Sequence, residues 1–244
     1  MAIRAVFTDV DGTVVSSESR NRKAIEDVAR VGGYIIVPSD WDVLGGQGDN
    51  VIWQKIVDRA PHFKDVFNTA ASFERGCVNM KIARIHEVKK IQEVADTIRL
   101  FRENAVSVAA VSNSVTEDAG ASLNQAGYKE EDFTFTLFRD EIQRRGLRTK
   151  PYPDPYEEAM RDMNKNFQTR GANIPPLSPR ECLVLEDSKT GARAGLQAGM
   201  SVIHILDEDS PLENRERDQL LTQGGVYIPL KRADMVRYCQ ANFL

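Results

Sequence analysis

A chain of 244 residues with 32 basic and 36 acidic side chains, a formal net charge of −4 and a sequence pI near 5.5 offers no global electrostatic footprint for nucleic acid or an anionic membrane surface. Its length can bury a substantial core and fits one large domain or a core with a smaller companion. The three cysteines, Cys77, Cys182 and Cys239, have neither metal-type spacing nor an even count, and read as free, mostly structural thiols of a reducing compartment. Met1 leads straight into a strand-like run, and no apolar run is long enough to span a bilayer. The expected setting is therefore soluble and cytoplasmic, with no membrane and no nucleic-acid partner.

In chain order, the apolar residues 3–7 read as a buried strand, followed at once by Asp9-Val10-Asp11-Gly12-Thr13. Residues two apart on a strand point to the same side, and Gly-Thr marks a turn, so both carboxylates can face one ligand at the sheet edge. Asp and Gly are also ordinary turn formers, so partners later in the chain must decide the matter. Residues 14–90 hold helical patterns near 22–31 and 50–60 without a second buried strand. This reads as a helical cap over residues 15–88, with hinges near 14–17 and 86–90, with Trp53 in the cap core and Trp41 there or lining the substrate entrance.

From there the chain alternates. Ile91, Val94, Ala95, Ile98 and Phe101 draw one helical stripe, and apolar runs at 105–111, 133–138, 182–185, 201–206 and 226–230 read as strands buried on both faces. Ser114-x-x-Glu117, Asp154-Pro155-x-Glu157 and Ser210-Pro211-x-Glu213 look like capped helix starts, Gly127 like a helix stop, and residues 168–179 like a surface loop. The fold class expected is α/β: a Rossmann-like, mostly parallel sheet flanked by helices, built from residues 1–14 and 89–244, with the cap inserted after the first strand. His62, His86 and His204 form no catalytic constellation, and His204, within an apolar strand, reads as packed and hydrogen-bonded. The segment after Asp207 carries no assigned chemistry.

In such a sheet, ligands collect beyond the carboxyl ends of the strands. After the first strand come Asp9 and Asp11, after the 105–111 run Ser112-Asn113-Ser114, and after the 182–185 run Glu186-Asp187-Ser188; Lys150 precedes the Tyr156 helix. Taken singly, Ser112 is a strand-end hydroxyl, Ser114 a helix cap, Lys150 a surface lysine and Glu186-Asp187 another cap. Together and in this order, they resemble the haloacid dehalogenase superfamily, with its Asp-x-Asp-Gly-Thr, strand-end Ser or Thr, Lys and terminal acidic pair. Flanking residues extend the resemblance: Lys150-Pro151-x-Pro153-Asp154-x-Tyr156 and Glu186-Asp187-Ser188-x-x-Gly191-x-x-Ala194-Gly195-x-x-Ala198-Gly199-Met200. They are similar to the branch that holds phosphoglycolate phosphatases and β-phosphoglucomutase.

The resemblance implies Asp9 as nucleophile, forming an aspartyl-phosphate, and Asp11 as the acid and then the base. It implies Gly12, Ser112, Asn113 and Lys150 as the phosphate cradle. Mg²⁺ is the implied cofactor, held by Asp9, Glu186, Asp187 and the backbone carbonyl of Asp11. Asp11 also argues against carbon–halogen cleavage, because family members of that kind lack the second Asp. The cap loop Leu44-Gly45-Gly46-Gln47-Gly48-Asp49 is expected over the substrate, with Gly46 and Gln47 as contacts. It has no basic residue and ends in an acid that would repel a second phosphate, which favours a phosphatase for a small phosphomonoester over a sugar phosphomutase. Arg20, Arg22, Lys81 and Arg84 are further candidates for substrate contact near the hinges. Substrate identity and oligomeric state are not readable from the sequence.

Overall fold

The computed structural model describes residues 2–44, 48–169, 171, 174–206 and 224–244. Strands β1 (Ala5–Thr8), β4 (Ser107–Val111), β5 (Thr136–Leu137), β6 (Cys182–Glu186), β7 (Ser201–Leu206) and β8 (Val226–Lys231) form one sheet in the order β5-β4-β1-β6-β7-β8, and every pairing in it is parallel. β1 therefore sits in the middle, between β4 and β6, and its carboxyl end faces the carboxyl ends of both neighbours.

Alternate residues of each strand enter different apolar layers. Val6, Val108, Ala110, Leu183 and Leu185 pack on one face, with α5 (Gln92–Glu103), α6 (Thr116–Gln125) and α10 (Met235–Phe243). Phe7, Ala109, Val111 and Val184 pack on the other, with α7 (Arg139–Arg144), α8 (Asp154–Thr169) and α9 (Lys189–Gln197). Burial on both faces is what made these strands read as continuous apolar runs. Gly127 follows α6 at φ +75°, as its reading as a helix stop requires. Cys77, Cys182 and Cys239 are free and buried. No helix among the described residues is long and apolar enough to cross a membrane.

Between β1 and α5 the chain makes an antiparallel ladder of β2 (Val15–Ser16) with β3 (Lys89–Lys90), at the two places expected as hinges. The segment between them folds into α1 (Glu18–Val31), α2 (Trp41–Leu44), α3 (Asp49–Arg59) and α4 (Ala70–Ala83). It has its own apolar cluster of Ile25, Val28, Leu44, Ile52, Ile56, Phe63 and Phe73. The helix α4 was missed in the sequence because its buried face includes a lysine, Lys81, which breaks the apolar stripe. The expected cap contacts Gly46 and Gln47 and the expected helix start at Ser210 lie outside the described residues.

Two expected helix caps do not form. Helix α6 begins after Val115, not Ser114, and Asp154 accepts from the backbone N–H of Arg148 at 3.0 Å and its guanidinium at 2.8 Å. In both cases a longer-range partner competes for the capping side chain.

Candidate active site

The carboxyl ends of β1, β4 and β6 open into a cavity of about 300 Å³ roofed by the helical insertion. On its floor, Asp9 directly continues β1 through its N–H bond to the carbonyl of Leu185 at 2.9 Å. Lys150 Nζ donates to Asp9 Oδ1 at 2.7 Å, to Glu186 Oε1 at 2.5 Å and to the Val111 carbonyl at 2.7 Å. The Lys150 side chain is 3 % exposed and that of Glu186 fully buried, while Asp9 keeps 12 %. Lys150 is thus no surface lysine: all three of its donors are spent on the ends of three strands.

Glu186 is held from several sides. Tyr156 Oη donates to Oε1 at 2.7 Å, and the hydroxyl of Ser188, which caps α9 by accepting from the Gly191 N–H, donates to Oε2 at 3.0 Å. Asp187 leans on the β1 loop instead, accepting from the Thr13 hydroxyl at 2.8 Å. Gly12 permits this approach: at φ +80° a Cβ there would lie 2.0 Å from Asp187 Oδ2, so only glycine fits.

One oxygen from each of Asp9, Glu186 and Asp187 lies within 4.8 Å of the others. These three carboxylates face one ammonium, Lys150, and the electrostatics record the crowding. Burial pushes Asp9 well above the usual carboxylate range, against the pull of Lys150 and with the repulsion of Glu186 and Asp187. Burial and Glu186 push Asp187 up to about 7. Crowded acids of raised affinity for protons also have affinity for another cation.

Asp11 behaves in the opposite way. Its Oδ1 accepts from Ser17 Oγ at 2.5 Å and its Oδ2 from Ser114 Oγ at 2.7 Å, and Arg20 stands 3.6 Å off. Burial opposes ionisation, yet the hydrogen bonds from Ser17 and Ser114, with Arg20 and Lys81, hold the carboxyl below its ordinary value. Ser114, read from the sequence as a helix cap, in fact serves this acid.

The phosphate cradle needs one correction. The Gly12 N–H is taken by the Val15 carbonyl at 2.8 Å, because the turn after β1 folds tightly back on itself, so this amide does not face a ligand. Ser112 lines the cavity and accepts from the Ser114 N–H at 3.0 Å, which leaves its own proton to donate. The Asn113 side chain exchanges two 3.1 Å hydrogen bonds with the backbone N–H and carbonyl of Lys150, clasping the lysine loop to the end of β4.

Of the four basic residues proposed near the hinges, Arg22 and Lys81 line the cavity. Arg22 lies over the Trp41 ring at 5.3 Å. Arg20 is buried against Asp118 at 3.0 Å and Ser122 at 3.1 Å, and Arg84 pairs with Asp27 and Glu87. Asp49, expected to repel a second phosphate, is neutralised by Lys81 at 3.3 Å, a partner 32 residues away that the loop sequence did not reveal. Trp41, expected in the cap core or at the substrate entrance, reaches the cavity. Thr13, Tyr156 and Asp118 carry no role in the sequence reading; Thr13 and Tyr156 do stand in its motifs, the one that begins at Asp9 and the one that begins at Lys150, and Asp118 has no such signal.

A family model described as haloacid dehalogenase-like hydrolase matches residues 3–199. The chain belongs to this family. The chain is 24 % identical over 204 residues to a bifunctional riboflavin kinase/FMN phosphatase of Arabidopsis thaliana, covering 82 % of this chain and 48 % of that protein; it thus spans about half the length of that relative. It is 21 % identical to a probable pseudouridine-5'-phosphatase of Saccharomyces cerevisiae, over 98 % of both chains. Among solved structures, CbbY of Rhodobacter sphaeroides in complex with phosphate superposes with a TM-score of 0.71 at 20 % identity, over 96 % of both chains. The β-phosphoglucomutase of Clostridium difficile superposes with a TM-score of 0.69 at 17 % identity, over 98 % of this chain and 96 % of its own. These likenesses bear out the six-stranded α/β fold.

Proposed function

We propose that this hydrolase is a Mg²⁺-dependent phosphomonoesterase that acts on a small metabolite through an aspartyl-phosphate on Asp9. The observation that carries the reading is the cavity floor, where Asp9 is partly open to the cavity, held by Lys150 at 2.7 Å and grouped with Glu186 and Asp187. Crowded hard oxygen donors with an excess of negative charge fit a divalent cation. Asp9 and Asp187, with the backbone carbonyl of Asp11, would hold Mg²⁺, and Glu186 would contribute from behind while it positions Lys150. When bound, the ion offsets the repulsion between the Asp9 carboxylate and an anionic phosphate ester.

The protein's own groups supply the rest. A carboxylate oxygen of Asp9 attacks phosphorus as the ester P–O bond breaks. Asp11, held ionised here by the Ser17 and Ser114 hydroxyls, takes up a solvent proton before the first step, gives it to the leaving oxygen, and then takes one from the water that hydrolyses the phospho-aspartate. The Ser112 hydroxyl donates to the phosphoryl oxygens, and Lys150, whose N–H groups are already spent on the strand ends, offsets the charge that develops there as a nearby point charge.

Water as the final acceptor is supported by the phosphatase names of the Arabidopsis and yeast relatives and by the pairing of one roof cation. Lys81 is already met by Asp49 and Asp118, a poor grip for a second phosphate. The test is phosphate release from sugar monophosphates, phosphoglycolate, nucleotides and FMN, with Mg²⁺ and with EDTA. We expect steady, Mg²⁺-dependent release without a bisphosphate activator, and a fall of at least about 10⁴-fold in Asp9→Asn. Full activity in Asp9→Asn, or equal release in EDTA, overturns the reading; a requirement for a bisphosphate would point to a mutase.

A further inference from the structure

β7 and the turn after β8 reach the loops of the cavity floor from behind. His204 on β7 is 2 % exposed; its Nε2 lies 3.0 Å from the backbone carbonyl of Asp187, and its Nδ1 2.9 Å from the Tyr227 hydroxyl on β8. A carbonyl only accepts, so Nε2 carries a proton, and in the neutral ring Nδ1 accepts from Tyr227. The parallel ladder arranges this contact: Tyr227 is paired with Val202, two residues before His204 and on the same face of the sheet. Just beyond β8, Arg232 Nη2 donates to the carbonyl of Gly12 at 3.1 Å.

Asp187 and Gly12 are where the β6 and β1 loops touch, through the Thr13 hydroxyl and the close approach to the glycine. His204 and Arg232 therefore grip the two sides of one contact. We propose that the β7–β8 unit is a clamp in which His204, oriented by Tyr227, and Arg232 set the spacing of the two acid loops. They are positioning residues, and what they set is the affinity of the acid cluster for its divalent cation. This rests on the reading of Asp9 and Asp187 as cation ligands. Mg²⁺ demands near-ideal geometry, so small shifts of an acid loop weaken it, as outer-shell changes do in other metal sites. His204, Tyr227 and Arg232 all lie beyond residues 3–199, the span that matches the family; their roles are read from their contacts.

The test is Mg²⁺ titration of the full chain by calorimetry, with melting temperature in EDTA and the Mg²⁺ dependence of phosphate release measured alongside. His204→Leu, Tyr227→Phe and Arg232→Met are each expected to raise the Mg²⁺ Kd by about 10-fold or more. His204→Gln, whose amide can donate in place of Nε2, should stay within about threefold of the wild type, short of the roughly tenfold loss expected for a broken outer shell. Tyr227→Phe removes a single oxygen and carries the test if His204→Leu fails to fold. Wild-type Mg²⁺ affinity in folded His204→Leu and Tyr227→Phe overturns the clamp, as does a His204→Gln protein as weak as His204→Leu. A wild type that binds Mg²⁺ but releases no phosphate refutes the proposed function alone, and the titration still judges the clamp; a wild type that binds no divalent cation refutes both.

Discussion

On the cavity floor, Asp9, Lys150 and Glu186 meet at strand ends with separations of 2.5 to 2.7 Å. On the roof, Arg22, Trp41, Asp49 and Lys81 come from four different helices, and the closest ion pair among them spans 3.3 Å. The floor is a nearly closed network in which each charge determines the state of the next; the roof mixes Arg22 and Lys81 with Glu18 and Asp49 and an apolar wall of Ile25, Ile52 and Val78. Within a low-dielectric network, removing one member leaves the others buried and unpaired. The roof can lose a contact and keep its shape. On the proposed reading, chemistry belongs to the floor and choice of substrate to the roof.

The largest effect expected from breaking this contrast is at Lys150. Lys150→Met leaves Asp9 and Glu186 without their ammonium and should cost about 3–5 kcal/mol of stability, measured by urea unfolding in EDTA, along with loss of turnover. A variant as stable as the wild type would show that the floor is not the closed network its distances describe.

A smaller effect is expected from pH. Asp187, raised to about 7, and Asp9, raised in the same direction, keep protons in the folded protein that the unfolded chain has already released from about pH 4 upward. The native state therefore binds more protons than the unfolded state in this window, and stability falls as pH rises through it. Melting temperature in EDTA should decline from pH 5 to pH 7.5, by about 2–4 °C for each kcal/mol lost in a chain of this size, and Mg²⁺ should reverse the decline most at the higher pH. A level or rising profile in EDTA would remove the electrostatic case for the cation site.

The smallest effect is expected on the roof. Trp41→Ala deletes the ring beneath Arg22 and part of the wall, a change on the order of 1–2 kcal/mol. It should raise KM several-fold with kcat nearly unchanged, read from steady-state kinetics on the best substrate. A loss carried by kcat instead would place Trp41 with the chemistry and blur the distinction between roof and floor.

Much of the floor was legible because Asp9 and Glu186 close apolar strand runs and Lys150 stands in a motif just ahead of a helix start, where local pattern and motif coincide. Asp9, Ser112 and Glu186 needed only the strand run before them. The roof was legible only in outline. Helix α4 hid behind Lys81, whose burial makes sense only once Asp49 and Asp118 are beside it. Ser114 looked like a helix cap because its nearest grammar was local, yet its partner, Asp11, lies 103 residues away. The Gly12 amide looked free because a turn's internal hydrogen bond to Val15 does not show in residue types.

By itself, the sequence determined the alternation of buried strands and amphipathic helices, the insertion after the first strand, and the identity and order of the acids, serine and lysine. These follow from short-range periodicity and from residue chemistry that each segment carries alone. Tertiary structure decided the supports: which carboxyl is held below its ordinary value, which cation answers Asp49, and how His204 and Arg232 come to touch the acid loops. Those outcomes depend on burial and on distances between groups far apart in the chain, and electrostatic energies change steeply with both. The pair Asp9 and Asp11 shows the division: burial bears on both of these identical side chains and pushes Asp9 up, while the hydrogen bonds from Ser17 and Ser114 that only the fold supplies hold Asp11 down.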